Sequence, residues 1–223
     1  MTRALLYKEF RETLPIALLG LAVLLVLGGT STTNSPASNP LHSLLNDRPD
    51  AIPFVSDAFT SRLTITASVF AMALGFWQTL GDFHRDAQLF LLHRPVTRRQ
   101  LYGMKLVMGV GVYLLCTGLA IVVYAIWAAM PGNHASPFDW SMTLPAWRTW
   151  LSVTCLYLAA ALCGVYPAAW LGTRLAPLAA VGAIYSICSA LSAPAAAMLA
   201  VVAVMDIALA AAILHVVKVR NFA

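Results

Sequence analysis

Six long apolar runs divide this chain, and nearly all of its charge lies in the short intervals between them. Across 223 residues, 60% are hydrophobic and only 10% are charged, with a mean hydropathy of +0.78. A soluble domain carries about 25% charged residues. Too little polar surface is left here to cover a water-facing globule. The chain therefore reads as an all-α, polytopic membrane protein with six transmembrane helices, because a bilayer core needs about 20 residues of apolar helix. A net charge of +5 would point to nucleic acid in a soluble protein. Here the basic residues flank apolar runs, so they speak for orientation in a bilayer, and no nucleic-acid partner is expected.

The expected spans are 14–33, 63–80, 104–129, 147–172, 177–191 and 195–217, all within one transmembrane domain of residues 1–223. Residues 1–13 mix Arg3, Lys8, Glu9, Arg11 and Glu12 with Leu5, Leu6 and Phe10, which reads as a helix lying in the membrane interface. The rival reading is the charged start of a signal peptide, but two Glu residues are unusual there and no clear A-x-A cleavage site follows. The interval 34–58 is rich in Pro, Ser and Asn and reads as an outer loop, with one helical turn around Leu41 to Leu45. A second outer loop is expected over Pro131 to Pro145.

Basic residues test the direction of threading. Eleven of the fourteen Lys and Arg residues fall on one side of the six-span scheme, and Arg48, Arg62 and Arg148 fall on the other. The positive-inside rule then puts both termini in the cytoplasm. Trp77, Trp127, Trp147 and Trp170 lie near expected span ends, as an aromatic belt would place them. In the fourth span Ala160, Gly164, Ala168 and Gly172 repeat every four residues. Such a stripe lets another helix come close, either within the chain or across a dimer. Pro167 is expected to kink the helix within it.

The polar interval 81–97 is the most informative stretch. Phe83, Ala87, Phe90 and Leu91 make one apolar stripe, with His84, Arg85, Asp86 and Gln88 on the other side. Pro95 stops that helix. Thr97 and Gln100 form a T-x-x-Q capping box, with Val96 and Leu101 at hydrophobic-staple positions, so a new helix starts there. The run Leu91, Leu92, Pro95, Val96, Thr97, Arg98, followed by Lys105, resembles the first cytoplasmic loop of the ABC-2 family of ATP-driven exporter permeases. That family usually has a Glu and a Gly-Thr pair ahead of the leucines, where this chain has Arg85-Asp86 and no Gly-Thr. The turn LGTRLAPLAAVGAIY and the basic end of the last span are also similar to that family. Almost no room remains between the fifth and sixth spans for the small re-entrant helices that family members often carry.

The resemblance implies a permease subunit of an ATP-driven transporter, an exporter forming half of a substrate path in the cell (inner) membrane. Residues 1–13 would be the family's elbow helix. Phe83 to His93 would be a coupling helix seated on a separate ABC ATPase, with Phe83, Arg85, Asp86, Phe90, Leu91, Pro95 and Arg98 at the contact. The implied partners are that ATPase, a second permease subunit (identical or a sister chain) and membrane lipid. The other reading is a non-transport scaffold or sensor subunit of a membrane complex.

The chain contains no G-x-x-x-x-G-K-[ST], G-x-S-x-G or H-E-x-x-H. It is not expected to be an enzyme; ATP and Mg would be held by the partner, and no cofactor by this chain. The five histidines are scattered and make no metal-ligand spacing. Cys116, Cys155, Cys163 and Cys188 lie in apolar runs without a C-x-x-C pair and read as core residues. Asp206 sits near the middle of the sixth span. A carboxylate there is costly and must be paired, protonated or water-facing. Two readings stand for it, a polar site on the substrate path or a protonated Asp hydrogen-bonded between helices, with Tyr113, Tyr157, Tyr185 or Ser186 as expected partners.

Overall fold

A computed structural model describes residues 2–33, 52–55, 58–84, 97–131, 138–166, 173–190 and 194–219. Among them every regular element is helical: α1 (Thr2–Thr33), α2 (Phe59–His84), α3 (Arg98–Ala129), a 3-10 turn (Trp140–Thr143), α4 (Leu144–Ser152), α5 (Thr154–Val165), α6 (Ala176–Ala190) and α7 (Ala195–Val219). Four stretches are long and apolar enough to cross a membrane: Phe59–Leu80, Arg99–Ala129, Trp140–Val165 and Ala195–Val219. Ala176–Cys188 is apolar but shorter. This is the architecture of an all-helical membrane protein.

Three boundaries differ from those expected. No break separates residues 13 and 14: α1 is one helix through Pro15. Thr13 eases that passage by turning its hydroxyl back onto the Glu9 and Phe10 carbonyls, at 2.9 and 3.1 Å. The second outer loop gives way to helix early. Asp139 caps the 3-10 turn through the Ser141 N–H at 2.8 Å, a contact that holds its carboxyl below the ordinary range. Pro145 then sits in the first turn of α4, where its missing N–H costs nothing. The fourth apolar run is interrupted at Val153; Pro167, where a kink is expected, lies outside the described residues. Val153 N–H reaches back to Thr149 and Leu156 N–H bonds Val153, so the helix restarts one residue on.

α3 begins as its residues dictate. Thr97 accepts from the Gln100 N–H and the Gln100 side chain accepts from the Thr97 N–H, a complete capping box. Val96, the outer half of the expected staple, lies outside the described residues.

The broken helix α4–α5 is the hub. In the stretch Trp140–Val165, 83% of the most apolar window is buried in the chain, against 11% for α7. α2 packs most extensively against α5, and α1 lies against α3. The small-residue stripe explains the first pairing. A Cβ on Gly75 would lie 2.6 Å from the Tyr157 carbonyl oxygen and 2.9 Å from the Ala160 Cβ, and one on Gly164 would overlap the Thr79 side chain. Ala160 and Gly164 therefore serve packing within the chain; Ala168 and Gly172 lie outside the described residues.

At the end of α2 near its N-terminus an aromatic plug closes the bundle. Phe54, only 2% exposed, meets Phe59 and Tyr124 edge-on, and Phe59 stacks on Tyr124 with centroids 3.9 Å apart. Phe54 holds φ at 65°, a left-handed conformation costing a bulky residue about 1–2 kcal/mol. Burial of the ring, worth roughly 1.5–3 kcal/mol, offsets that strain, and the Thr60 hydroxyl secures the turn by donating to the Phe54 carbonyl at 3.0 Å.

Candidate functional site

Two polar clusters interrupt the apolar interior. The first lies where α2 ends and α3 begins, beside the 85–96 interval. Glu9 on α1 is 1% exposed and Lys105 on α3 is 3% exposed. Lys105 Nζ sits 3.3 Å from Glu9 Oε2 and donates to the Gln78 carbonyl oxygen, also at 3.3 Å. Tyr157 on α5 donates its hydroxyl to Gln78 Oε1 at 2.6 Å. Four helices thus meet at one charged node. Glycine makes room for it: a Cβ at Gly109 would overlap both the Tyr157 hydroxyl and Gln78 Oε1. Lys8 supports the node from outside, 3.9 Å from Glu9 and 3.6 Å from Glu12.

A buried ion pair is expensive to assemble and more expensive to break. This one is held by groups from α1, α2, α3 and α5. Its chemistry is mechanical. It fixes the first turns of α3 to the N-terminal helix, and through Gln78 to the hub. On the same side of the hub, Arg174 donates to the Cys163 and Gly164 carbonyls at 2.7 and 2.8 Å. That cation caps the carbonyl end of α5, where the helix dipole favours positive charge.

The second cluster surrounds Asp206 on α7. Its Oδ2 lies 2.6 Å from the Thr154 hydroxyl, and its Oδ1 is buried without a hydrogen-bond partner. Thr154 is the partner, in place of the expected hydroxyls. Tyr113 donates to the Trp150 carbonyl, Tyr157 to Gln78 and Ser186 to the Gly182 carbonyl. The reason is the break at Val153, which turns Thr154 at the start of α5 toward α7. A break between Ser152 and Thr154, with no Gly or Pro at it, is not announced by the sequence.

Of the residues expected at an ATPase contact, Arg85, Asp86, Phe90, Leu91 and Pro95 lie outside the described residues. Phe83 falls in the last turn of α2 and Arg98 opens α3. Lys105 was visible in sequence as part of the first-loop pattern, but Glu9, Gln78 and Tyr157 were not assigned to it. A lysine eight residues into an apolar helix is itself the signal that an acid must be near. Among the described residues no three His, Cys, Asp or Glu side chains gather as metal ligands, and all four cysteines are free.

Compared with known proteins, this chain matches no family model, no curated protein and no solved structure.

Proposed function

We propose that this chain is the membrane-spanning half of an ATP-driven exporter similar to the ABC-2 permeases, crossing the cell membrane six times with both termini in the cytoplasm. The observation that carries the reading is the placement of Lys105. In the first-loop pattern it is the distal residue, seven positions after Arg98, and here it is locked into the Glu9–Gln78–Tyr157 node. A force applied to the 81–97 loop reaches four helices through that node. This is what a coupling loop needs if closure of an ATPase pair is to tilt α2 and α3 as a lever. The capping box at Thr97 and Gln100 makes the start of the lever rigid. α1 supplies the first crossing from Leu14 onward and α6 the fifth. A second permease subunit completes the path.

Phe90 is the expected anchor on the ATPase, since aromatic side chains dominate such contacts, and Arg85 and Asp86 set the register at the rim. Tagged full-length chain purified from its native membrane should bring a Walker-type ATPase with it. Phe90→Ala should cost about 2 kcal/mol of that association while leaving membrane insertion unchanged. Retention of the ATPase and of transport-linked hydrolysis by a Phe90→Ala, Asp86→Lys double variant would remove the coupling assignment. Purification without any ATPase would favour a scaffold or sensor subunit.

A further inference from the structure

Four sulfur side chains meet at one small cavity. α5, α6 and α7 carry five between them, Cys155, Cys163, Cys188, Met198 and Met205, and all but Cys163 line the space where the three helices come together. That space has room for a single water-sized body, about 10 Å³. Met198 and Met205 stand two turns apart on α7, with buried Val202 between them. Cys188, half-buried, lines it from α6, and buried Cys155 closes the side toward α5. Apart from Tyr185, the remaining wall is aliphatic. Methionine is the side chain that fills irregular gaps, yet two of them border this one and leave it open.

The composition of the wall selects its occupant. A held water needs about two to four polar partners, and the walls offer no more than one phenol. Mg2+ and Ca2+ take oxygen ligands, several at a time. Zn2+ takes thiolate, imidazole or carboxylate, and among the described residues no three such groups gather. Thiolate and thioether are soft ligands, and together they suit Cu(I). Charge then sorts the sulfurs. The Cys155 thiol donates its proton to the Ser152 carbonyl at 2.9 Å, so it stays a neutral wall. Cys188 is the less buried of the two thiols and the one placed to release a proton to water. One thiolate against one Cu+ leaves the centre uncharged, which is the form a low-dielectric interior accepts.

We infer that Cys188, Met198 and Met205 form a binding site for one Cu(I) ion, with Cys155 as the fourth sulfur against it. Loading is an exchange: Cu+ enters, the Cys188 S–H bond breaks, a Cu–S bond forms and one H+ leaves to water. No electron moves, because the copper arrives already reduced. Met198 and Met205 lie about 5 and 15 Å along α7 from Ala195, and Cys188 is in the last turn of α6. The ion therefore sits close to the neighbouring ends of the two helices and has a short route to water. The site stands independently of the ATP-driven reading, since it is tested on the chain alone and its failure leaves the ATPase-docking experiment untouched.

The full chain in lipid nanodiscs, reduced, freed of any affinity tag and kept without oxygen, is titrated with Cu(I) against the chelator bicinchoninate and then desalted. Wild type should retain about one Cu(I) per chain, and X-ray absorption at the copper edge should show sulfur neighbours only. Cys188→Ala should lose the ion. Met198→Leu with Met205→Leu keeps the apolar volume, so the fold is retained, and affinity should fall by about tenfold or more. Cys116→Ala with Cys163→Ala removes the thiols outside the cavity and should leave retention as in wild type. Failure of wild type to hold copper against the chelator overturns the proposal. So does retention that survives Cys188→Ala, or that is lost with Cys116 and Cys163, since either means adventitious binding at thiols elsewhere. Should Cys188→Ala not fold, the methionine pair decides alone: equal affinity with and without it would mean a cysteine that binds copper and no built site, and the proposal fails.

Discussion

Glu9 and Lys105 show how much a single pair can hold. Both are buried, and their charges face each other at 3.3 Å. Removing one partner leaves a bare charge in a dry place, which costs about 3–5 kcal/mol, whereas replacing both with apolar groups of similar volume is close to neutral. Lys105→Met should therefore lower unfolding stability in detergent by about 3 kcal/mol or more. Adding Glu9→Leu to it should restore most of the loss. A double variant no better than the single one would mean that the node is held by Gln78 and Tyr157 and not by the ion pair. Function should respond differently from stability: the apolar double variant is expected to fold while losing the link between the 81–97 loop and α1. At this scale the sequence was only half legible. Lys105 stood out as the distal residue of the first-loop pattern. Nothing in the spacing of positions 9 and 105 joins them, because the contact is made by α1 packing on α3. Asp206 was legible as a problem in need of a partner, but its partner was not, since Thr154 is aimed by a helix break that no Gly or Pro announces.

Between elements, glycine positions decide how closely α2 and α5 approach. Gly75→Ala puts a methyl against the Tyr157 carbonyl oxygen and Ala160. Backbone cannot rotate aside, so the two helices must separate, at a cost of about 1–3 kcal/mol. Gly111 offers the contrast, because a Cβ there meets nothing within 4 Å. Gly111→Ala should be neutral or slightly stabilising, by up to about 1 kcal/mol, since alanine is the better helix former. Parallel thermal unfolding of the two variants checks the pairing; equal Tm values would mean that α2 and α5 are not in contact as described. The stripe that carries this pairing, Ala160 and Gly164, was readable from its four-residue period. Which neighbour it served was not, because a period names a face and not the surface opposite. The helix positions themselves were the most legible feature, since apolar length alone specifies them. The ends were less so: α1 runs on past Thr13, with Lys8 pairing Glu9 and Glu12 along the helix and Glu9 held by Lys105 of α3.

For the molecule as a whole, the distribution of basic residues predicts the threading. Single cysteines introduced at positions 34–51 and 132–137, in a chain from which Cys116, Cys155, Cys163 and Cys188 have been removed, should react with an impermeant reagent added outside intact cells. Cysteines at 84–99 should not. Labelling at 84–99 would reverse the orientation and take the loop away from any cytoplasmic ATPase. In the expected orientation the apolar cluster of Phe54, Phe59 and Tyr124 would mark the external end of the bundle, opposite the Glu9–Lys105 node.

The hub also has a timetable. α4 and α5 are the elements most enclosed by the rest of the chain, yet they are synthesised after α1, α2 and α3. Until they arrive, Gln78 and Thr79 have no Tyr157 or Gly164 to meet, and the flank of α2 that closes on α5 faces lipid or the insertion machinery. The Glu9–Lys105 pair needs none of the later helices. It can join α1 to α3 as soon as both are in the membrane, and so keep the half-made bundle in register while it waits. A chain released before position 144 would carry an open, partly polar flank, the kind of surface by which quality-control proteases recognise an orphaned fragment.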